Sequence, residues 1–296
     1  METAFVLSFA GLSFRIDAPE PEWSQRLQER YQAFLADEAA ADWRIALRHA
    51  PDLPQAAADW ARHEATRTEF HIASYRGRVD FATRRAQVLT PDLQRAPSAL
   101  ARTITFIATV ILPREKDGLL LHACGLASDA AAFAFCGPSG AGKSTIAQLV
   151  PPTLQVMSDE NVIVRLSEAG PILYNTPFWG QNTPETRIHR QRIHRPLKAA
   201  FILKQSPRWS LRPLAPSQAI LALLATEKVA VERTPSAQAW LDIASRLLAQ
   251  TPIFELGFLP APELWSFLAE QGFPIPLSSP ESRHVPPRPS HSPTPS

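Results

Sequence analysis

The segment GPSGAGKST, Gly137 to Thr145, carries the most specific chemistry in the chain. Its spacing matches the phosphate-binding pattern G-x-x-x-x-G-K-[ST]. Gly137, Gly140 and Gly142 allow positive φ angles and bring backbone N–H groups close to a phosphate chain, with Pro138, Ser139 and Ala141 between them. A helix beginning near Lys143 would aim its positive end at the same anions. Lys143 supplies a mobile charge for β- and γ-phosphates, Ser144 offers a hydroxyl to Mg²⁺, and Thr145 completes the motif. The bland alternative is a glycine-rich turn. With only 11 Gly and, by count, 5 Lys in 296 residues, a chance match is rare. The motif predicts ATP and Mg²⁺ as ligands.

A loop that holds phosphate does not say what becomes of it, and for that an acid is needed. Asp159 follows the apolar run LQVM and is itself followed by Glu160. A carboxylate at a strand end beside the loop is where a Mg²⁺-organising or base residue belongs. The other reading is a surface acidic pair opening a turn. Downstream, RIHRQRIHR (Arg187 to Arg195) could capture an acidic peptide or a further phosphate through bidentate guanidinium contacts, or form a solvated basic face. Phe178 and Trp179 could line an acceptor groove or pack in the core.

These residues need positioning elements. The chain up to residue 96 reads as a small β-rich α+β module. Phe5 to Ile16 alternates as a strand or hairpin bending at Gly11, Glu22 to Phe34 as a helix, and Trp43 to His49 as a strand. Glu69 to Thr83 reads as a hairpin turning at Arg76-Gly77. Residues 97–278 read as an α/β domain. Pro97-Ser98 opens a buried helix to about Leu112, LLLHACGLAS forms a strand, and Ala131 to Cys136 forms a short buried one. The phosphate loop and an apolar helix, Ile146 to Val150, come next. Leu154 to Leu166 and Lys198 to Gln205 are further strands. Helices over Ser217 to Glu227 and Ser236 to Gln250, the strand IFELGFL and a helix over Pro262 to Gln271 close the domain. Residues 279–296, rich in Pro and Ser, are expected to be unstructured.

Composition excludes several classes. Hydrophobic residues at 45% and charged residues at 20% are globular values. A net charge of +2 gives no global field, so nucleic acid is disfavoured as a partner. Two Cys residues, Cys124 and Cys136, provide neither a disulfide framework nor a cysteine-based zinc site. The longest apolar stretch, Ile104 to Leu112, is far shorter than a membrane span, and no signal peptide is expected at the N-terminus. A cytoplasmic protein without membrane contact is the expectation.

The order LLLHACGLAS, FAFCGPSGAGKST, VMSDENVIVR, NTPFWGQ resembles the catalytic domain of the HPr serine kinase/phosphorylase family. It resembles more closely the short HPr-kinase-like proteins found beside peptide-modification genes. The similarity covers about Leu119 to Gln205. It implies a P-loop kinase core of the HPr-kinase and phosphoenolpyruvate-carboxykinase type, with ATP-dependent phosphorylation of a serine on a protein or precursor peptide. His122 matches the family's histidine near the transferring phosphoryl group, with a hydrogen-bonded core histidine as the alternative. Asp159 matches the acid that accepts the hydroxyl proton, and Glu160 would assist at the metal with Ser144. Gln181 stands where the short relatives usually carry Glu, and an amide cannot give a metal the same charge. A nucleotide-binding accessory or switch protein and a small-molecule kinase stay open as alternatives, as does a homo-oligomer.

Overall fold

The computed structural model describes residues 3–37, 41–179 and 191–277, arranged as a mixed α/β fold of two large sheets and six helices. Gln181, Arg187, Arg190 and the tail from residue 279 lie outside the described residues.

The first sheet contains β1 (Ala4–Phe9), β2 (Leu12–Asp17), β3 (Leu35–Ala36), β4 (Trp43–His49), β5 (Trp60–His63), β6 (Arg67–Ile72), β7 (Tyr75–Asp80) and β8 (Arg85–Thr90), in the order β3-β1-β2-β4-β8-β7-β6-β5. The period-2 pattern explains it: Trp43, Ile45 and Leu47 of β4 all point into the core. The β1–β2 hairpin turns at Ala10-Gly11 as expected. The second hairpin does not turn at Arg76-Gly77. It turns at Ala73-Ser74, with Ala73 at φ 48°, and Gly77 faces Phe70 in the β6–β7 ladder. A Cβ on Gly77 would lie 2.2 Å from the Phe70 ring, so this glycine provides room for an aromatic rather than a bend. Helix α1 (Pro21–Arg30) is shorter than expected, and residues Gln32–Phe34 continue as one 3₁₀ turn.

Helix α2 (Ala96–Glu115) is the shared element of the molecule. It packs on β7 and β8, on α5 (Ala237–Leu248) and on β9 (Gly118–Leu121) of the second sheet. Fourteen of its residues are buried, and the Thr103, Thr105 and Thr109 hydroxyls donate back to carbonyls one turn earlier. Its 20 residues are long and apolar enough to cross a membrane, more than the Ile104 to Leu112 stretch suggested, but 78% of that window is covered by protein. One apolar core joins α2 to the first sheet across residue 96.

The second sheet runs β12 (Gln155–Ser158), β10 (Ala123–Ala127), β11 (Ala132–Cys136), β15 (His194–Gln205), β14 (Ile172–Asn175), β13 (Val162–Arg165), β9. Strand β17 (Ile253–Phe258) pairs in parallel with β15 and antiparallel with β16 (Ser210–Pro213). Two segments read as single strands are each broken in two. LLLHACGLAS divides into β9 and β10 at His122, and Leu154 to Leu166 divides into β12 and β13 at Asp159–Asn161. The breaks face each other. Leu121 pairs with Val162 on one side and Gly125 with Ser158 on the other, so residues 122–124 lie opposite 159–161. Polar side chains interrupt both ladders at one level. Helices α3 (Lys143–Leu149), α4 (Pro216–Thr226) and α6 (Leu264–Glu270) complete the fold.

Candidate functional site

A cleft of about 800 Å³ opens over this double break. His122, Ser139, Gly140, Gly142, Lys143, Ser144, Thr145, Asp159 and Glu160 line one wall. Gly137, Pro138 and Ala141 support the loop from behind without lining the cleft.

The loop follows β11, whose five residues are fully buried, so its start is rigidly placed. Gly140 (φ 82°) and Gly142 (φ 111°) take the left-handed conformation expected of them. Gly137 does not. Its need is for space, because a Cβ there would come within 2.6 Å of the Ala141 methyl. A Cβ on Gly142 would lie 2.7 Å from the Phe258 ring. Helix α3 is only seven residues long, so the loop N–H groups and Lys143 must do most of the work on any anion. The Lys143 ammonium donates to the carbonyls of Gly137 (2.6 Å) and Pro138 (3.0 Å). Burial lowers its pKa, the Glu160 carboxylate opposes that shift, and the Lys228 ammonium adds to it.

The acidic turn is built by hydroxyls. Ser158 Oγ accepts the N–H groups of Glu160 (3.2 Å) and Asn161 (3.3 Å) and donates to the Phe178 carbonyl (2.6 Å). Thr176 Oγ1 donates to the Asn161 carbonyl (2.7 Å). The Asn175 amide clamps the next segment, donating to the Gln191 carbonyl and accepting the Ile193 N–H. NTPFW is thus a brace for the turn. Asp159 is 2% exposed yet faces the cleft. Glu160 is ion-paired with Lys228, which the sequence reading had not picked out.

His122 is also buried, and its Nδ1 lies 2.9 Å from the Thr226 carbonyl. A carbonyl can only accept, so Nδ1 carries the proton and Nε2 presents a lone pair. Burial pushes the imidazole pKa down to about 4, helped by the Lys143 and Lys228 charges, so the ring is neutral near pH 7. Behind it, the Glu227 carboxyl accepts the His122 backbone N–H, while its Oε1 is buried without a hydrogen-bond partner among the described residues. Burial raises this carboxyl to about 8. Cys124 and Cys136 are free and buried, and burial pushes both thiols up, which leaves them unreactive.

The opposite wall was not foreseen. Arg30, Tyr31, Tyr75, Arg95, Ser98 and Arg102 line it, and all of them precede the glycine-rich loop by at least 35 residues. Phe178 packs edge-on against Phe9 and also touches the cleft, and Trp179 lies under the Arg30 guanidinium at 4.8 Å. In the basic cluster, Arg192 donates to the Ala33 and Leu35 carbonyls and His194 stacks on Tyr174. Neither of these two lines the cleft, nor does Arg195.

Fold and site together define a mixed α/β protein in which a glycine-rich phosphate-type loop and a buried acidic turn face one cleft. A family model described as SynChlorMet cassette protein ScmC matches residues 94–254, more than half of the chain, and the chain belongs to that family. The match begins just before α2, ends in β17 and leaves the first sheet outside. No curated protein matches the sequence.

Proposed function

We propose that this protein is an ATP-dependent kinase that transfers the γ-phosphate to a serine hydroxyl of a protein or precursor peptide. We assign its second sheet and loop to a P-loop kinase core of the HPr-kinase and phosphoenolpyruvate-carboxykinase type. One observation carries the reading: the loop with Lys143, after β11, and the buried Asp159, after β12, line the same cleft from the ends of the two strands that flank β10. Loop N–H groups and Lys143 hold the phosphates. Asp159 accepts the serine proton as the new O–P bond forms, the bond from the γ-phosphorus to the bridging oxygen breaks, and ADP leaves. Neutral His122 lines the cleft with Nε2 as an acceptor; the single hydroxyl proton goes to Asp159, so His122 is left to hold another donor of the acceptor peptide.

The donor set fits Mg²⁺. Among the described residues no cluster of three or more His, Cys, Asp or Glu could hold a metal ion by itself. Mg²⁺ asks for one or two carboxylates and takes its other ligands from water and phosphate. Ser144 and Asp159 would hold it, and when bound it would neutralise phosphate charge. Glu160 is a poorer ligand than expected because Lys228 occupies its carboxylate. ATP as substrate goes with a cytoplasmic location.

The test is phosphoryl transfer from labelled ATP to serine peptides and to water. Asp159→Asn should lower transfer by about a hundredfold or more, the usual scale for general base catalysis. Wild-type rates in that variant would end the proposal. A second reading, a nucleotide-binding accessory protein without turnover, is favoured by the Glu160–Lys228 pair, which leaves one carboxylate beside the loop. ATP binding with no ADP formed would select it.

A further inference from the structure

Helix α2 carries an unusual charge. From Ala96 to Leu112 it contains no charged side chain except Arg102, although most of this stretch is buried in the core. Ser98, Ala101, Arg102 and Thr105, at i, i+3, i+4 and i+7, form the one stripe of the helix that lines the cleft. Arg102 makes no ion pair among the described residues. Among the described residues its guanidinium meets the hydroxyl of Tyr75, which lines the same wall. A guanidinium has five donors in a rigid fork, and one phenol oxygen leaves most of them unused. A second pair of the same kind, Arg30 with Tyr31, stands on this wall, where Arg30 also covers the Trp179 ring. Arg95 adds a third guanidinium, already paired with Asp92. The side facing the phosphate loop is therefore cationic, with aromatic walls around the charges.

We infer that this wall, centred on Arg102, is the docking site for the acceptor and that the acceptor is an acidic peptide whose carboxylates bind the Arg102 fork. The inference deepens the kinase proposal and rests on it in giving the loop wall to ATP. Planar guanidinium and carboxylate groups pair bidentately, and aromatic faces beside them favour a peptide backbone and side chains over a free inorganic anion. Because the wall comes from the end of α1, the β6–β7 turn and α2, the β-rich module and α2 together select the substrate while the second sheet performs the chemistry.

The experiment measures binding of a fluorescent peptide, one serine flanked on each side by glutamates, to the full chain by anisotropy, with ATP affinity measured in parallel by calorimetry. The same peptide with glutamines is the control. The acidic peptide should bind about tenfold or more tighter than the control, and Arg102→Gln should weaken it about tenfold. Arg102→Lys should recover part of that loss, since it restores charge without the fork, and Tyr75→Phe should lose less than Arg102→Gln. Circular dichroism confirms the fold of each variant. Equal binding of the two peptides overturns the inference, as does a larger loss of affinity for ATP than for the peptide in Arg102→Gln. If wild type fails to bind ATP but still selects the acidic peptide through Arg102, the kinase proposal fails and the docking wall stands.

Discussion

The two walls of the cleft are made in different ways. The loop wall comes mainly from one stretch, residues 122–161, in which a motif, a buried strand and an acidic turn follow closely in sequence. The opposite wall is assembled from Arg30-Tyr31, Ala73–Tyr75, Arg95–Arg102 and Phe178-Trp179, which meet only because α2 is packed between the sheets. A local wall depends on backbone geometry, and its mutations should act at the point of change. An assembled wall depends on packing far from the cleft.

The largest expected effect is on the local wall. Lys143→Ala should weaken nucleotide binding by roughly a hundredfold, measured by calorimetry, because a charge-assisted contact to phosphate is lost. Unchanged affinity would mean that the loop is a turn without a ligand. Next, Gly142→Ala should cost about 2–4 kcal/mol in denaturant unfolding, combining left-handed strain with the Phe258 ring 2.7 Å from the new Cβ. A cost near zero would show that the loop relaxes freely. On the assembled side, Gly77→Ala should cost about 1–3 kcal/mol by crowding Phe70, and it should also loosen the Tyr75 edge of the cleft. If stability falls while the peptide affinity proposed for Arg102 is unchanged, the two sides are less coupled than the packing indicates. Ser158→Ala should cost about 1–2 kcal/mol, since the Glu160 and Asn161 N–H groups lose their acceptor.

The smallest effect at neutral pH concerns His122. Its pKa falls from 6.5 to about 4 on folding, so the folded state disfavours the proton. The stability this contributes is fully present above pH 6.5 and is lost as pH falls toward 4. His122→Asn should leave the melting temperature near pH 7 within a few degrees and flatten its decline between those values. Parallel melting curves would show that burial does not act on the imidazole.

The local wall was the legible one. The glycines, Lys143 and Ser144 announce a loop whatever surrounds it, and Asp159 stands out at the end of an apolar run. The strand breaks at His122 and Asp159 were not legible, because an apolar run with one polar residue looks continuous until hydroxyls such as Ser158 and a carbonyl such as Thr226 are seen to hold the chain aside. Gly77 was misread as a bend for a related reason, since its function is to leave room for a ring seven residues away in sequence. Arg102 did give a signal, a solitary charge in an apolar helix, but not the face on which it lies.

By itself the sequence determined the glycine-rich turn between a buried strand and a helix, the alternation of the first sheet and the amphipathic helices, because each depends on neighbours a few residues apart. The tertiary structure alone decided that Lys228 would meet Glu160, that Thr226 would fix the His122 tautomer, and that guanidinium groups from the first hundred residues would face the loop. Those pairings join residues tens to more than a hundred positions apart, and only the packing of separate elements brings them to one cleft.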